Sequence, residues 1–230
     1  MFKIISTTVL LFLGLTNAFS QIDSLKMGLD FRTRTELDNG QRTLIPKGKA
    51  AETSVVSRAR LNVDYYYQNL ELYFSIQDAR IWGENPSTTP KSQNFVLNEA
   101  WAKYQFTPKA ALKIGRQMLS YDDERLIGGL DWAMQGRSFD AAKGIFNFSK
   151  NSKLETVLTY NNDDNDANDI PENEIYDIVD GGEKAKSLQM LHYQFKSDKK
   201  FQFSSIALNS VVQNSITGIH YDMLTLGVNA

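Results

Sequence analysis

The sequence has 230 residues, 42% of them hydrophobic and 23% charged, with 25 Lys and Arg against 27 Asp and Glu, two His and no Cys. That balance excludes a disordered chain, and five Pro with 14 Gly exclude a collagen-like or Pro-rich fibre. The lack of Cys removes disulfides, thiolate nucleophiles and Cys-based metal centres, and His192 and His220 stand too far apart for a compact ligand motif.

Met1-Phe2-Lys3 is a short positive start, Ile4 to Leu15 is an almost unbroken apolar run, and Ala18-Phe19-Ser20 offers small residues before Gln21. This is the three-part layout of a secretory signal peptide, so residues 1–20 are assigned as a leader and residues 21–230 as the exported domain. The other reading, a membrane anchor, needs about 20 apolar residues, and this run is shorter. An exported chain without a spanning helix is soluble, surface-bound, or a closed barrel in an outer membrane.

Periodicity decides among these. Met27, Leu29, Phe31 and Leu37 alternate with Asp30, Arg32, Arg34 and Glu36; then Ala59, Leu61, Val63, Tyr65 and Tyr67 alternate with Arg58, Arg60, Asn62 and Asp64. Leu70, Leu72, Phe74 and Ile76 oppose Glu71, Tyr73, Ser75 and Gln77, and Ala100, Ala102, Tyr104 and Phe106 oppose Glu99, Trp101, Lys103 and Gln105. Period two marks strands, whose successive side chains point to opposite faces. Weaker versions follow around Lys113, Phe146, Leu158, Tyr193 and Phe203, and 215–230 is expected to be one last strand, making about ten.

Long polar connections are expected near 38–54, 83–94, 119–137, 163–185 and 209–214, and short turns at 68–69, 107–109, 149–152 and 197–200. Strict succession of long and short connections predicts an all-β, antiparallel, up-and-down transmembrane barrel with short periplasmic turns and long outer loops. A soluble sandwich or lipocalin-like barrel alternates equally well. Against it stand fully charged residues on the polar faces, strands longer than the usual 5–6 residues, and aromatics beside the short turns (Tyr65, Tyr67, Tyr104, Phe106, Phe195, Phe201) where a girdle belongs.

The small net charge of −2 conceals segregation. Residues 163–183 hold nine acidic residues and no Lys or Arg; without them and the leader, 24 basic residues face 18 acidic ones. Arg32, Arg34, Arg58 and Arg60 share the polar face of adjacent strands. Two readings stand: a pore lining that favours anions, or arginines that pair with Asp30, Glu36, Asp64 and Glu71 and stiffen the lumen. Arg80 and Arg116 fall on the lipid-facing parity, which calls for a bulge, permitted at Gly115, or for strands that have already left the hydrocarbon layer. The acidic segment lacks an EF-hand spacing and is expected to be a solvated outer loop, with binding of divalent ions as the alternative. Glu124 and Asp131 are carboxylates whose spacing marks no acid–base pair, and no nucleotide loop or G-x-S-x-G element is present, so no enzyme and no cofactor are expected.

Three segments carry a resemblance: Gln77-Asp78-Ala79-Arg80-Ile81-Trp82-Gly83-Glu84, Glu99-Ala100-Trp101-Ala102-Lys103-Tyr104, and Gly115-Arg116-Gln117. With Leu119-Ser120-Tyr121, Arg125-Leu126-Ile127-Gly128, Asp131-Trp132 and Arg137-Ser138-Phe139-Asp140, the ordered set resembles the alginate export porins of Bacteroidota. The resemblance implies a monomeric outer-membrane barrel of about 18 strands with a basic, anion-selective channel, of which this chain would be the N-terminal part. It implies Arg32, Arg34, Arg58, Arg60, Lys103 and Lys113 as pore-facing cations, with Arg116, Arg125 and Arg137 entering the constriction from the third long connection. The partners it implies are an anionic polysaccharide or small anions and the surrounding lipid and lipopolysaccharide; nucleic acid is not among them. The competing expectation is a structural or adhesive barrel whose acidic loop binds ions or partners. The leader and the apolar strand faces predict that the mature chain begins at Gln21 and fractionates with the outer membrane; N-terminal sequencing and detergent extraction check this, and a detergent-free periplasmic monomer would contradict it.

Overall fold

A computed structural model describes residues 24–38, 48, 51–84, 95–161, 183–197, 201–214 and 219–230. The assigned leader and 163–182 of the acidic segment lie outside the described residues.

Ten strands form one sheet: β1 (Ser24–Asp38), β2 (Glu52–Tyr67), β3 (Leu70–Ile81), β4 (Phe95–Thr107), β5 (Ala110–Gln117), β6 (Phe139–Asn147), β7 (Ser152–Tyr160), β8 (Glu183–Lys196), β9 (Gln202–Asn214) and β10 (His220–Asn229). Each pairs antiparallel with its neighbour in sequence order, as an up-and-down meander requires. The β2–β3, β4–β5, β6–β7 and β8–β9 turns join strand ends at one end of the sheet, and the strand ends that flank the other connections lie at the opposite end, because hairpin follows hairpin without a crossover. The expected ten-strand all-β layout is therefore the observed one. β2 and β8 begin within the ends of their expected connections, at Glu52 and Glu183, and one connection is strand throughout. Residues 209–214 were expected to be a connection, but Asn209 to Asn214 continue β9, held in register by β8 and β10; Asn209 Nδ2 donates to Gln189 Oε1 at 2.8 Å. Polar side chains do not break a strand that has a partner on both sides.

The two faces differ in kind. Leu29 is 84% exposed, and Phe31, Phe74, Phe106, Leu158 and Leu226 are exposed on the same outer face. Tyr67, Tyr104, Phe106 and Phe201 stand exposed beside the short turns, where the girdle was expected. The opposite face carries Arg58, Ser75, Gln77, Gln117 and Ser204, all buried, and a loop lies over it.

Two local irregularities set which side chains reach that inner face. Between Ser75 and Ile76 the β4 partner jumps from Glu99 to Leu97, leaving Asn98 as a bulge residue whose Nδ2 donates to Ser75 Oγ at 3.2 Å. The bulge reverses the parity of β4, so Phe95 and Leu97 face outward while Glu99, Trp101 and Lys103 face inward. At Gly115 φ is +124°, and an added Cβ would stand 2.3 Å from the Ala100 carbonyl oxygen, so only glycine fits. Yet the pairing of β5 with β4 and β6 continues unbroken through Gly115.

Of the two alternatives for Arg116 the bulge is absent, and its implied entry into the constriction is corrected. Without a slip it keeps the parity of Leu112 and Ile114, stands opposite Asp140, and forms an ion pair with it at 3.2 Å on the outer face. Arg80 likewise keeps outward parity and pairs with Asp78, two residues earlier, next to exposed Trp82. Both pairs lie at the long-loop end, where a charged couple need not enter hydrocarbon. Leu61 and Val63 share the outer parity of β2, and arginine on lipid at mid-bilayer costs about 2–4 kcal/mol. Replacing both with Arg should sharply reduce recovery of folded, heat-modifiable protein in the outer membrane, whereas Leu61→Ile and Val63→Ile should not.

Candidate functional site

The chain between β5 and β6, residues 118–138, folds inward instead of projecting from the rim. Its root is tied by Met118, whose N–H donates to Glu99 Oε2 at 2.9 Å. Leu119, Tyr121 and Ile127 pack on Phe139, Ala141, Val157, Met190, Ile206 and Leu208, the inner residues of β6 to β9. Farther on, Met134 packs on Val56 and Ala79 of β2 and β3. Burying each large apolar side chain is worth about 1.5–3 kcal/mol, so this lining fastens the loop to the wall. Internally the loop is braced by Arg137 N–H to the Gly129 carbonyl at 2.6 Å and Ala133 N–H to Leu130 O at 2.8 Å.

Two aspartates supply polar anchors at opposite ends of the sheet. Asp122 accepts from Ser204 Oγ at 2.6 Å and meets His192 Nε2 at 3.1 Å, which holds the loop to β8 and β9. Asp131 meets β1 and β2: its Oδ1 accepts from Arg58 Nη1 at 2.9 Å and Arg60 Nη1 at 3.0 Å, and its Oδ2 from Arg32 Nη2 at 3.4 Å. Its carbonyl oxygen accepts from Arg32 Nη1 at 2.6 Å. Gln77 completes the latch, taking Arg60 Nε at 2.9 Å and Nη2 at 2.8 Å on Oε1 while its Nε2 donates to the Gln135 carbonyl at 2.6 Å. Arg58 is wholly buried and pairs also with Asp30. Burial alone would raise the Asp131 carboxyl, but its hydrogen bonds and charge contacts with Arg58 and Arg60 outweigh that and hold it below the ordinary value.

The sequence-derived cations thus separate into groups. Arg58 and Arg60 are the latch; Arg32 joins it from the rim, and Arg34 pairs with Glu36 and donates to the Trp132 carbonyl at 3.2 Å. Arg125 rides on the loop, 85% exposed and paired with Asp123 at 2.8 Å, and Arg137 closes the loop through its backbone. Arg116 stands on the other face. Lys103 and Lys113 lie directly opposite one another on β4 and β5, and Lys143 of β6 lies opposite Lys113, so three lysines form one row across the inner wall. Lys103 pairs with Glu71, Lys143 approaches Glu155 at 4.0 Å, and Lys113 Nζ rests 3.6 Å from the centroid of the Trp101 ring.

The model of the alginate export family matches residues 23–159, more than half of the chain. The chain belongs to the alginate export family. The matched segment of this alginate export domain runs from β1 to β7 and contains the latch arginines, the inward loop and the lysine row. The family is a transport family, and with the all-β sheet it makes this an outer-membrane protein. Comparison with curated proteins returns no match.

Asp131 and Gln77 lie within the motifs that carry the resemblance, but neither they nor Asp122 and His192 are among the site residues expected from sequence. A signal was present: Val157, Met190, Ile206 and Leu208 are apolar residues on the parity of the polar face. Such residues need an apolar cover.

Removing the Asp131 charge should free the loop. Asp131→Asn should cost about 2 kcal/mol, since it leaves buried guanidinium groups short of a counter-charge, and should loosen the loop backbone enough for trypsin to cleave after Arg125 and Arg137 in detergent-solubilised protein. The pH dependence follows from the lowered carboxyl. The latch contributes fully above the ordinary Asp value of about 3.9 and is lost as pH falls through the lower folded value, so loop protection should hold at neutral pH and vanish only in acid.

Proposed function

We propose that this chain forms the wall of an outer-membrane channel that exports an anionic polysaccharide of the polyuronate class, with small anions sharing the path. The observation that carries the reading is the lysine row. Like charges directly opposite on neighbouring strands destabilise a sheet. Lys103, Lys113 and Lys143 stand that way on three adjacent strands of the inner wall; among the described residues Lys103 pairs with Glu71 and Lys143 approaches Glu155, while Lys113 between them forms no ion pair. A wall that sets like charges in register and leaves Lys113 without an ion pair among the described residues favours anions entering beside it.

The arginines have a different part in this reading. Arg58 and Arg60 hold the loop that narrows the lumen, and the exposed Arg125 on that loop faces the passing chain. In this reading the outer apolar face meets lipid and lipopolysaccharide, the barrel works as a monomer, and nucleic acid is no partner. The adhesive alternative rests on the acidic segment, of which 163–182 lie outside the described residues, and nothing in the described wall favours it.

Planar-bilayer recordings of the full-length barrel test the proposal. Wild type should be anion-selective and blocked by oligouronate. Replacing Lys103, Lys113 and Lys143 by Gln should move the reversal potential toward cation preference and weaken oligouronate block about tenfold or more, because a polyanion engages several sites together. Unchanged selectivity and block in the triple variant would overturn it. Replacing Arg58 and Arg60 by Ser should act differently, raising conductance by loosening the loop as well as removing charge.

A further inference from the structure

The inner wall carries an aromatic pair that an anion path does not require. Tyr73 of β3 and Trp101 of β4 lie directly opposite, with ring centroids 5.2 Å apart and planes 25° from parallel. Phe74, Tyr104 and Phe106 have the outward parity of a lipid-facing surface, whereas Tyr73 and Trp101 stand among Asn62, Ser75, Glu99 and the lysines. Both rings are only partly buried, so they offer flat apolar surface on a polar wall. Polar fastenings fix them: Tyr73 Oη donates to Asn62 Oδ1 at 3.1 Å, and Trp101 Nε1 to Glu99 Oε2 at 3.2 Å. The same Glu99 oxygen receives the Met118 N–H, so the pair sits at the root of the inward loop.

Lys113 supplies the second element. Its ammonium lies over the Trp101 ring at 3.6 Å and forms no ion pair with a carboxylate among the described residues. A cation resting on a ring is held weakly enough to exchange that contact for a carboxylate. A ligand that brings a carboxylate and a flat C–H face uses both parts: the charge draws Lys113 aside and the ring face is uncovered.

Resting on the channel reading above, we infer that Tyr73, Trp101 and Lys113 form a sugar-acid subsite at the root of the inward loop, where a pyranose ring stacks on the aromatic pair while its carboxylate engages Lys113. Inorganic anions have no use for the rings, and neutral sugars meet a ring already covered by Lys113. The subsite therefore selects for the combination of ring and charge, which the row of cations alone does not.

Single-channel recording on the full-length barrel tests this, with an oligouronate and a neutral gluco-oligosaccharide of equal length as probes. Trp101→Ala should shorten oligouronate residence about fivefold or more while leaving chloride-over-potassium selectivity at the wild-type value, as expected for a lost stacking contact. Trp101→Phe should retain most of the residence time. Lys113→Gln should shorten oligouronate residence and lengthen that of the neutral sugar by uncovering the ring. Should Trp101→Ala fail to assemble, the opposite responses of Lys113→Gln to the two probes decide the matter. In a barrel whose wild type is anion-selective, the inference is overturned if Trp101→Ala leaves residence unchanged or if Lys113→Gln changes both probes alike. A wild-type barrel without anion-selective conductance would instead defeat the channel reading, and the subsite with it.

Discussion

A guanidinium group cannot be buried without compensation, and Arg58 is where this protein meets that requirement. Its side chain is wholly enclosed, between Asp30 on the neighbouring strand and Asp131 on a loop 73 residues away in sequence. A buried pair of this kind adds little net stability over an apolar substitute, but losing one partner is expensive. It thus acts mainly as a device for position. The chain from Met118 to Ser138 must return to β1 and β2, where Asp131 neutralises the arginines; among the described residues Asp131 alone reaches Arg32, Arg58 and Arg60.

The second anchor gives the loop its span. Asp122 is fixed to His192 and Ser204 on β8 and β9, and the apolar residues around it pack onto the same strands. A loop fastened at β1–β2 and again at β8–β9 crosses the inner face between its attachments. Polar anchors fix its register and apolar ones supply most of the attachment energy, the usual division between directional and non-directional forces. Beneath the root of this loop lie Lys103, Lys113 and Lys143 with Trp101 and Tyr73. Arg32, Arg58 and Arg60 are occupied in holding structure, so in the proposed channel the lower wall offers Lys113 to a passing anion. Basic residues that looked equivalent in sequence therefore differ in structure: some are tied up in the latch, and under the proposed function others are left for recognition.

Small backbone features decide which side chains take part. Without the bulge at Asn98, β4 would carry a single parity and Phe95 and Leu97 would turn inward with Trp101 and Lys103. Glycine at 115 lets β5 approach the Ala100 carbonyl closely while register is kept, which leaves Arg116 facing out to Asp140. One inserted residue moves a strand segment to the other face; one positive φ without an insertion does not.

The sequence by itself determined the strands, their order and their two faces. Alternation is a local property: side chains two apart share a side whatever the rest of the chain does, and Leu61 with Val63 against Arg58 with Arg60 shows it before any contact is known. Long and short connections in succession then leave one antiparallel order. Tertiary structure alone decided that 118–138 turns inward, that Asp131 is the partner of Arg32, Arg58 and Arg60, that β9 continues to Asn214, and that no bulge at Gly115 turns Arg116 inward. Those outcomes depend on groups as much as 99 residues apart and on register slips of a single residue. A buried charge selects its partner by geometry in the folded sheet, and no spacing along the chain encodes that choice.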